Sequence, residues 1–298
     1  MNFRENYSIS AFSRIALFWG NMLRAIPCVS LVAASAVYSS PLVQPPQQLP
    51  IELLGKWEVS EVHRNTQSSR TFQYGWNSPM LRWRIFDFSL SKIVNNTPEK
   101  AIPCHNPVAV SKSVVVGSTL NRVLAHELSG TGSVAKDYEL NIPESRVVNF
   151  LHINCSGEAW NGSIHSSQNG DEIFSDGSWL FFISSDEIAL RWYGETILIL
   201  KRVPINARPS PSFSCINARL QSERAICKSH ALSGLDRGVA SAYRTLLEST
   251  ERESPGEVMH VKSSQKKWLM IRNSCGTDNS CLAGSMEQRI GEINMPID

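Results

Sequence analysis

Seven histidines, His63, His105, His126, His152, His165, His230 and His260, are scattered along 298 residues. None forms the His-x-x-x-His pair that would put two imidazoles on one helix face for zinc, and no Gly-x-Ser-x-Gly presents a serine nucleophile. Cys104-His105 comes nearest to a nucleophile with its base. Neighbouring residues of an extended chain point to opposite faces, however, so the two cannot readily share a proton, and a disulfide role suits Cys104 better. Ser129-Gly130-Thr131-Gly132-Ser133 lacks the Lys-Ser/Thr that grips a nucleotide and reads as a flexible turn. The expectation is a non-enzyme with no cofactor and no metal.

The informative chemistry lies in the cysteines. There are seven, and Cys28 falls within an apolar N-terminal address. Arg14 and Arg24 flank Ile15 to Trp19, a second apolar stretch runs from Ala25 to Val37, and Ala34-Ser35-Ala36 is the small-x-small pattern of a signal-peptidase site. Residues 1-36 are therefore expected to be a signal peptide cleaved after Ala36. Met22 could equally be the start, since Met22-Leu23-Arg24 with the apolar run is a complete short signal. The apolar runs fall short of the roughly 20 residues a membrane span requires, and Ile26-Pro27 fits poorly before a lipid-modified cysteine. Removal of the signal leaves six cysteines, Cys104, Cys155, Cys215, Cys227, Cys275 and Cys281, an even number suited to disulfides in an oxidising periplasmic or secreted location.

A formal net charge of +2 and a pI near 8.2 give no large single-sign field, so composition implies neither nucleic acid nor an anionic membrane as partner. The length suits two domains. Residues 37-50, rich in Pro, Gln and Ser, read as a flexible leader. From 51 to 204, β-branched runs recur without amphipathic helices: Lys56 to His63, Leu81 to Leu90, Val108 to Val116, Arg146 to Cys155, Ser178 to Ile183, Glu187 to Trp192 and Thr196 to Val203. That pattern predicts an antiparallel sandwich or barrel. Its opening Gly55-Lys56-Trp57 and its closing strands, Arg191-Trp192-Tyr193 with Ile197 to Val203, resemble lipocalin-like β-barrels. The resemblance implies a closed sheet with Trp57 plugging one end, while Trp76, Trp83, Trp160, Trp179 and Trp192 mostly fill the core. Cys104 and Cys155 are the candidate bridge here.

Arg208-Pro209-Ser210-Pro211 marks a linker over 205-211. Beyond it the apolar period becomes helical: Leu232, Leu235, Val239, Ala242, Tyr243, Leu246 and Leu247 form one stripe, broken at Pro255-Gly256. Val258, Val261, Trp268 and Leu269 form a second, and Leu282, Met286 and Ile290 a third. So small a helical core is marginal by burial alone, and disulfides add about 2 to 4 kcal/mol each. Four cysteines allow three connectivities. Local pairing, Cys215 with Cys227 and Cys275 with Cys281, closes a short segment at one end of a helix in each case and is the expected one. Gly238 inside the first long helix costs up to about 1 kcal/mol relative to Ala.

Pro-Ser-Phe-Ser-Cys, Glu-Arg-Ala-Ile-Cys, Leu-Ser-Gly-Leu-Asp, Gln-Lys-Lys-Trp-Leu and Arg-Asn-Ser-Cys, in this order between Pro211 and Ile293, resemble the LprI-type lysozyme-inhibitor family over about eighty residues. The resemblance implies a disulfide-stapled α-helical domain over 212-298 that blocks a lysozyme-type peptidoglycan glycosidase. It supplies no residue-level binding motif. Lys266, Lys267 and Arg272 are the binding candidates by charge and position, since such glycosidases work through paired carboxylates that a cation can block. Against that, the charges of Lys262, Lys266, Lys267 and Arg272, like those of Glu248, Glu251 and Glu253, read first as a solvated face, and Trp268 as core. The alternative function is a carrier whose barrel holds one small apolar or lipid molecule, with the helical tail as a stabilising module.

Overall fold

The computed structural model describes residues 46-68, 72-99, 103-124, 132-164, 174 and 176-294. The signal, the start at Met1 or Met22, Cys28, residues 37-45 of the leader, His126, His165 and the Gly130 turn lie outside them.

The β-branched runs form one curled antiparallel sheet, a half-barrel. Its strands are β1 (Gln47–Gln48), β2 (Gly55–His63), β3 (Ile85–Phe88), β4 (Lys92–Asn95), β5 (Cys104–His105), β6 (Pro107–Val115), β7 (Val147–Cys155), β8 (Glu158–Ala159), β9 (Trp179–Ser184), β10 (Glu187–Trp192) and β11 (Thr196–Arg202). The spatial order is β1-β6-β7-β9-β10-β11-β2-β3-β4-β5, with β8 on β7. Strand β5 thus ends one side and β6 lies near the other, yet only Asn106 separates them in the chain. Cys104 of β5 is disulfide-bonded to Cys155 of β7, with Cα atoms 5.0 Å apart. Chain connection and a covalent bridge join the two sides where, among the described residues, no hydrogen-bond ladder does.

Alternation along the strands explains why both faces are apolar. Leu151, Ile153, Leu180, Ile188, Leu190, Leu198 and Leu200 point inward, where they pack with Trp57, Phe86, Phe88, Trp160 and Trp192. Their neighbours Val148, Phe150, Trp179, Phe181, Ala189, Ile197 and Ile199 point outward. That outer face is covered by helix α1 (Val116–Val123) and by Ala135, Tyr138, Leu140 and Ile142. Trp57 is fully buried at the inner end; its indole N–H donates to the Leu53 carbonyl (2.8 Å), and the Arg202 guanidinium lies 4.2 Å over its ring.

Three sequence readings need correction here. Val116 does not end a strand; it opens α1, because the Arg146 carbonyl takes its N–H just where the chain turns onto the outer face. The end of the leader is not without structure: Gln47 and Gln48, though exposed, pair with Ala109 and Val108, and Leu49 is buried in the inner core. Residues 81-84 are not strand but a turn, whose Trp83 N–H donates to the Val59 carbonyl (2.8 Å).

The C-terminal region is helical: α2 (Gln221–Ile226), α3 (His230–Glu253), α4 (Val258–Ser274) and α5 (Asn279–Asn294). Local chemistry sets the ends. Ser229 accepts from the Leu232 N–H (3.2 Å), and Asp278 accepts from the N–H groups of Ser280 and Cys281 at 2.9 and 3.0 Å, which satisfies donors that an α-helix leaves open. The carboxylate of Glu223 sits well below the usual range because the N–H groups of Leu220 and Arg219 donate to it. The core is small: Ile226, Leu232, Leu235, Val239, Trp268, Leu282, Met286 and Ile290. Cys215 is bonded to Cys227 and Cys275 to Cys281. Tyr243, Leu246 and Leu247, expected to continue the α3 stripe, are only half-buried.

Gly234 and Gly238, one turn apart on α3, explain how the helices meet the sheet. A Cβ on Gly234 would overlap the Trp83 carbonyl oxygen, and one on Gly238 would stand 3.0 Å from the Pro79 carbonyl and 2.9 Å from Ile290 Cδ1. The helix therefore presents bare backbone to the 78-84 turn. Around this contact, buried Arg84 donates to the carbonyls of Met80 (2.8 Å) and Asn96 (3.0 Å) and to Glu287 of α5 (3.0 Å), while Arg237 pairs with Glu58 of β2.

Candidate functional site

The chemistry-bearing residues do not converge. Cys104 is bonded to Cys155, so no thiol stands beside His105. His63 is held by the Tyr138 carbonyl (2.7 Å) and Glu61 (3.0 Å) and stacks on Trp76. His152 faces the Asp176 carbonyl at 2.9 Å, and burial holds it below the ordinary imidazole value. Among the described residues no three His, Cys, Asp or Glu side chains are grouped to hold a metal ion. No helix among them is long and apolar enough to cross a membrane.

One half-buried acid escaped the sequence reading. Glu99 accepts from the Tyr74 hydroxyl and from the Trp192 indole N–H, the latter at 3.0 Å. Burial and the adjacent carboxylate raise the Tyr74 pKa far above its ordinary value. Trp192 also packs edge-on against Phe86 and Trp160. With both carboxylate oxygens engaged in a packed aromatic cluster, Glu99 fastens the 97-99 segment to the inner core. Nothing in the spacing around Thr97-Pro98-Glu99 signals this.

Two surfaces have the geometry of binding faces. The first is the outward side of α4. At 100° per residue, Met259, Lys266 and Met270 fall on one line, and His260, Lys267 and Ile271 on the next. Met259, Met270 and Ile271 are 75, 67 and 63% exposed, and both lysines are exposed. Met259 and Met270 lie eleven residues apart along the helix and Ile271 about 100° around from Met270, so exposed apolar side chains are spread along this side of α4. Beside it, between α4 and α5, runs a groove of about 300 Å³ whose wall includes His260, Lys267, Gln288 and Arg289. The structure separates the three binding candidates. Lys266 and Lys267 share this face, whereas Arg272 is buried on the other side of the helix, bonded to Asp236 (3.2 Å) and to Asn273. Asp236 also accepts from the Ser212 N–H and hydroxyl at 2.7 and 2.6 Å. Arg272 thus ties α4 to α3 and to the entry of the helical region. Buried there, it does not reach a partner, and taking it from Asp236 would leave a buried charge unpaired.

The second surface belongs to the half-barrel. Beside the inner core, along β6, β7 and β9, lies a cavity of about 790 Å³. Ala109, Leu151 and Phe182 give it an apolar floor, and Gln47, Gln48, Ser111, Asn149 and Ser184 a polar rim. Arg202 at its β1 end is spent on Asp186 and on the carbonyls of Leu54, Glu52 and Ser185. Arg146 at the far end is exposed and donates to the Ile183 carbonyl (3.0 Å). Beyond the cavity the same face continues into Val115 and Val147, 40 and 60% exposed.

Comparison with protein-family models, with curated proteins and with solved structures found no match for this chain.

Proposed function

We propose that this is an exported, non-catalytic bacterial protein whose helical region blocks a lysozyme-type peptidoglycan glycosidase, either a host defence enzyme or a rival's toxin to which it confers immunity. The observation that carries this reading is the outward face of α4, where Lys266 and Lys267 stand among exposed Met259, Met270 and Ile271. A cation among exposed apolar side chains suits a cleft lined by catalytic carboxylates: the apolar side chains desolvate the rim and the ammonium meets the acids. The order of motifs from Pro211 to Ile293 supports the same reading. Export through a signal at 1-36 accords with the pairing of all six later cysteines. In this reading residues 51-204 form a lipocalin-like barrel domain and 212-298 the inhibitory domain, joined at 205-211.

The purified protein should slow lysis of cell-wall suspensions at stoichiometric amounts, and the double variant Lys266→Glu/Lys267→Glu should weaken that inhibition at least tenfold with the melting temperature unchanged. Absence of inhibition against every major lysozyme type would remove the proposal.

A second reading, a carrier of one small apolar or lipid molecule, is favoured by the cavity beside the inner core of the half-barrel, whose volume suits such a ligand. Native mass spectrometry of material from its own host separates the two: a retained small molecule supports the carrier, a co-purifying glycosidase the inhibitor.

A further inference from the structure

Strand β6 runs from Pro107 to Val115, but on its outer side β1 pairs only with Val108 and Ala109. The bond from the Val116 N–H to the Arg146 carbonyl (3.0 Å) fixes the parity of the ladder: even residues of β6 bond to β7, and odd residues turn N–H and C=O the other way. Pro107, which has no N–H to give, accordingly falls at an odd position. Among the described residues no strand pairs with Ser111, Ser113 or Val115 on that side, and the inward side chains at this edge border the 790 Å³ cavity.

From this geometry we infer that β6 is a docking edge for an extended peptide of another protein, which lies antiparallel along Val110–Val115 in line with β1 and sets alternate apolar side chains into the cavity. Main-chain bonds to the odd residues would supply affinity, and the Leu151 and Phe182 floor side-chain selection. Charge selects the peptide's direction and composition. Arg146 stands at the end of the cavity that receives the peptide's amino-terminal residues, and Lys112 lies on the same edge, so the bound strand begins with acidic residues. The chain's own leader is a poor occupant: continuing the β1 register would put Pro45 opposite Ser111, where a donor is required and proline has none. A second copy is opposed by Lys112 at the middle of the free stretch, as charged residues blunt sheet edges against self-pairing.

The test is fluorescence anisotropy of the full chain, disulfides intact, with a fluorescein-labelled synthetic peptide of alternating valine and threonine that begins with two glutamates. It should bind at least tenfold more tightly than the same peptide beginning with two lysines, and N-methylation of alternate amides should cost at least tenfold. Ser113→Pro, which removes an outward N–H without touching the β7 ladder, should lose binding tenfold. Should that variant misfold, Arg146→Glu should reverse the order of the two peptides, and Lys266→Glu should leave it unchanged. Equal binding of methylated and parent peptides, or no binding, overturns the inference. So does slow amide exchange at Ser111 and Ser113 that becomes fast once residues 37-45 are deleted, which assigns the edge to the leader. A solution dimer that the peptide dissociates assigns it to a second copy and overturns it equally.

Discussion

The sheet and the helices are held together in different ways. The half-barrel buries apolar side chains on both faces of its central strands, so strands such as β10 and β11 are nearly all buried, and its one disulfide joins residues 51 apart. The helical region has a core of about eight side chains, and its two disulfides close short segments of 12 and 6 residues. In the chain-entropy view the long bridge stabilises by about 4 kcal/mol and the short ones by about 2 to 3 kcal/mol each. The smaller contributions matter more where they occur, because a core that small has little else to oppose the entropy of ordering its chain.

That contrast can be broken most sharply at the long bridge. Cys104→Ser/Cys155→Ser should lower unfolding free energy by about 4 kcal/mol, read by urea titration, yet leave β-sheet circular dichroism at neutral pH unchanged. Loss of the sheet signal would show that the curl depends on its covalent seam. Next comes the junction. Gly234→Val forces a branched side chain into the Trp83 carbonyl and should cost about 3 kcal/mol, at the upper end for overpacking; Gly284→Ala, at a position with open space around it, should stabilise slightly. If the helices were a loosely tethered module, both substitutions would change stability little. Third, Cys275→Ser/Cys281→Ser should remove only about 2 kcal/mol, but amide exchange in α5 should rise at least tenfold while β10 and β11 stay protected. The smallest effect is the pH response of the sheet. His152 is buried and held neutral, its folded pKa below the ordinary value. Its contribution is complete above about pH 6.5 and is lost as pH falls through that value toward the folded one, by at most about 1.4 kcal/mol per pH unit. His152→Gln should flatten the fall in urea midpoint between pH 7.5 and 5.5.

The same contrast governs what could be read beforehand. Strands packed on both faces are continuous apolar runs, which is why Glu187–Trp192 emerges with its observed bounds. Strand β4, four residues after the Ser89-Leu90-Ser91 turn, is too short to show a period, and β5 holds its place by pairing with β4 and by a bridge whose partner is remote in sequence. Gln47 and Gln48 pair through backbone alone, so their side chains carry no sign of it. On α3 the apolar stripe was legible, but Gly238 reads locally as a weakness; only the approach of the 78-84 turn shows that glycine is needed there. The binding candidates divide similarly. Charge finds Lys266 and Lys267, but it cannot distinguish them from Arg272, whose role is set by Asp236, 36 residues away.

The bridge between Cys104 and Cys155 also makes a covalent ring of the chain that carries β6 and β7. Stretched from its two ends in an optical trap, the oxidised molecule would keep those 51 residues out of the tether, concealing about 180 Å of contour at roughly 3.5 Å per residue. A single proteolytic nick inside the ring would leave both fragments attached, migrating together until a reductant is added.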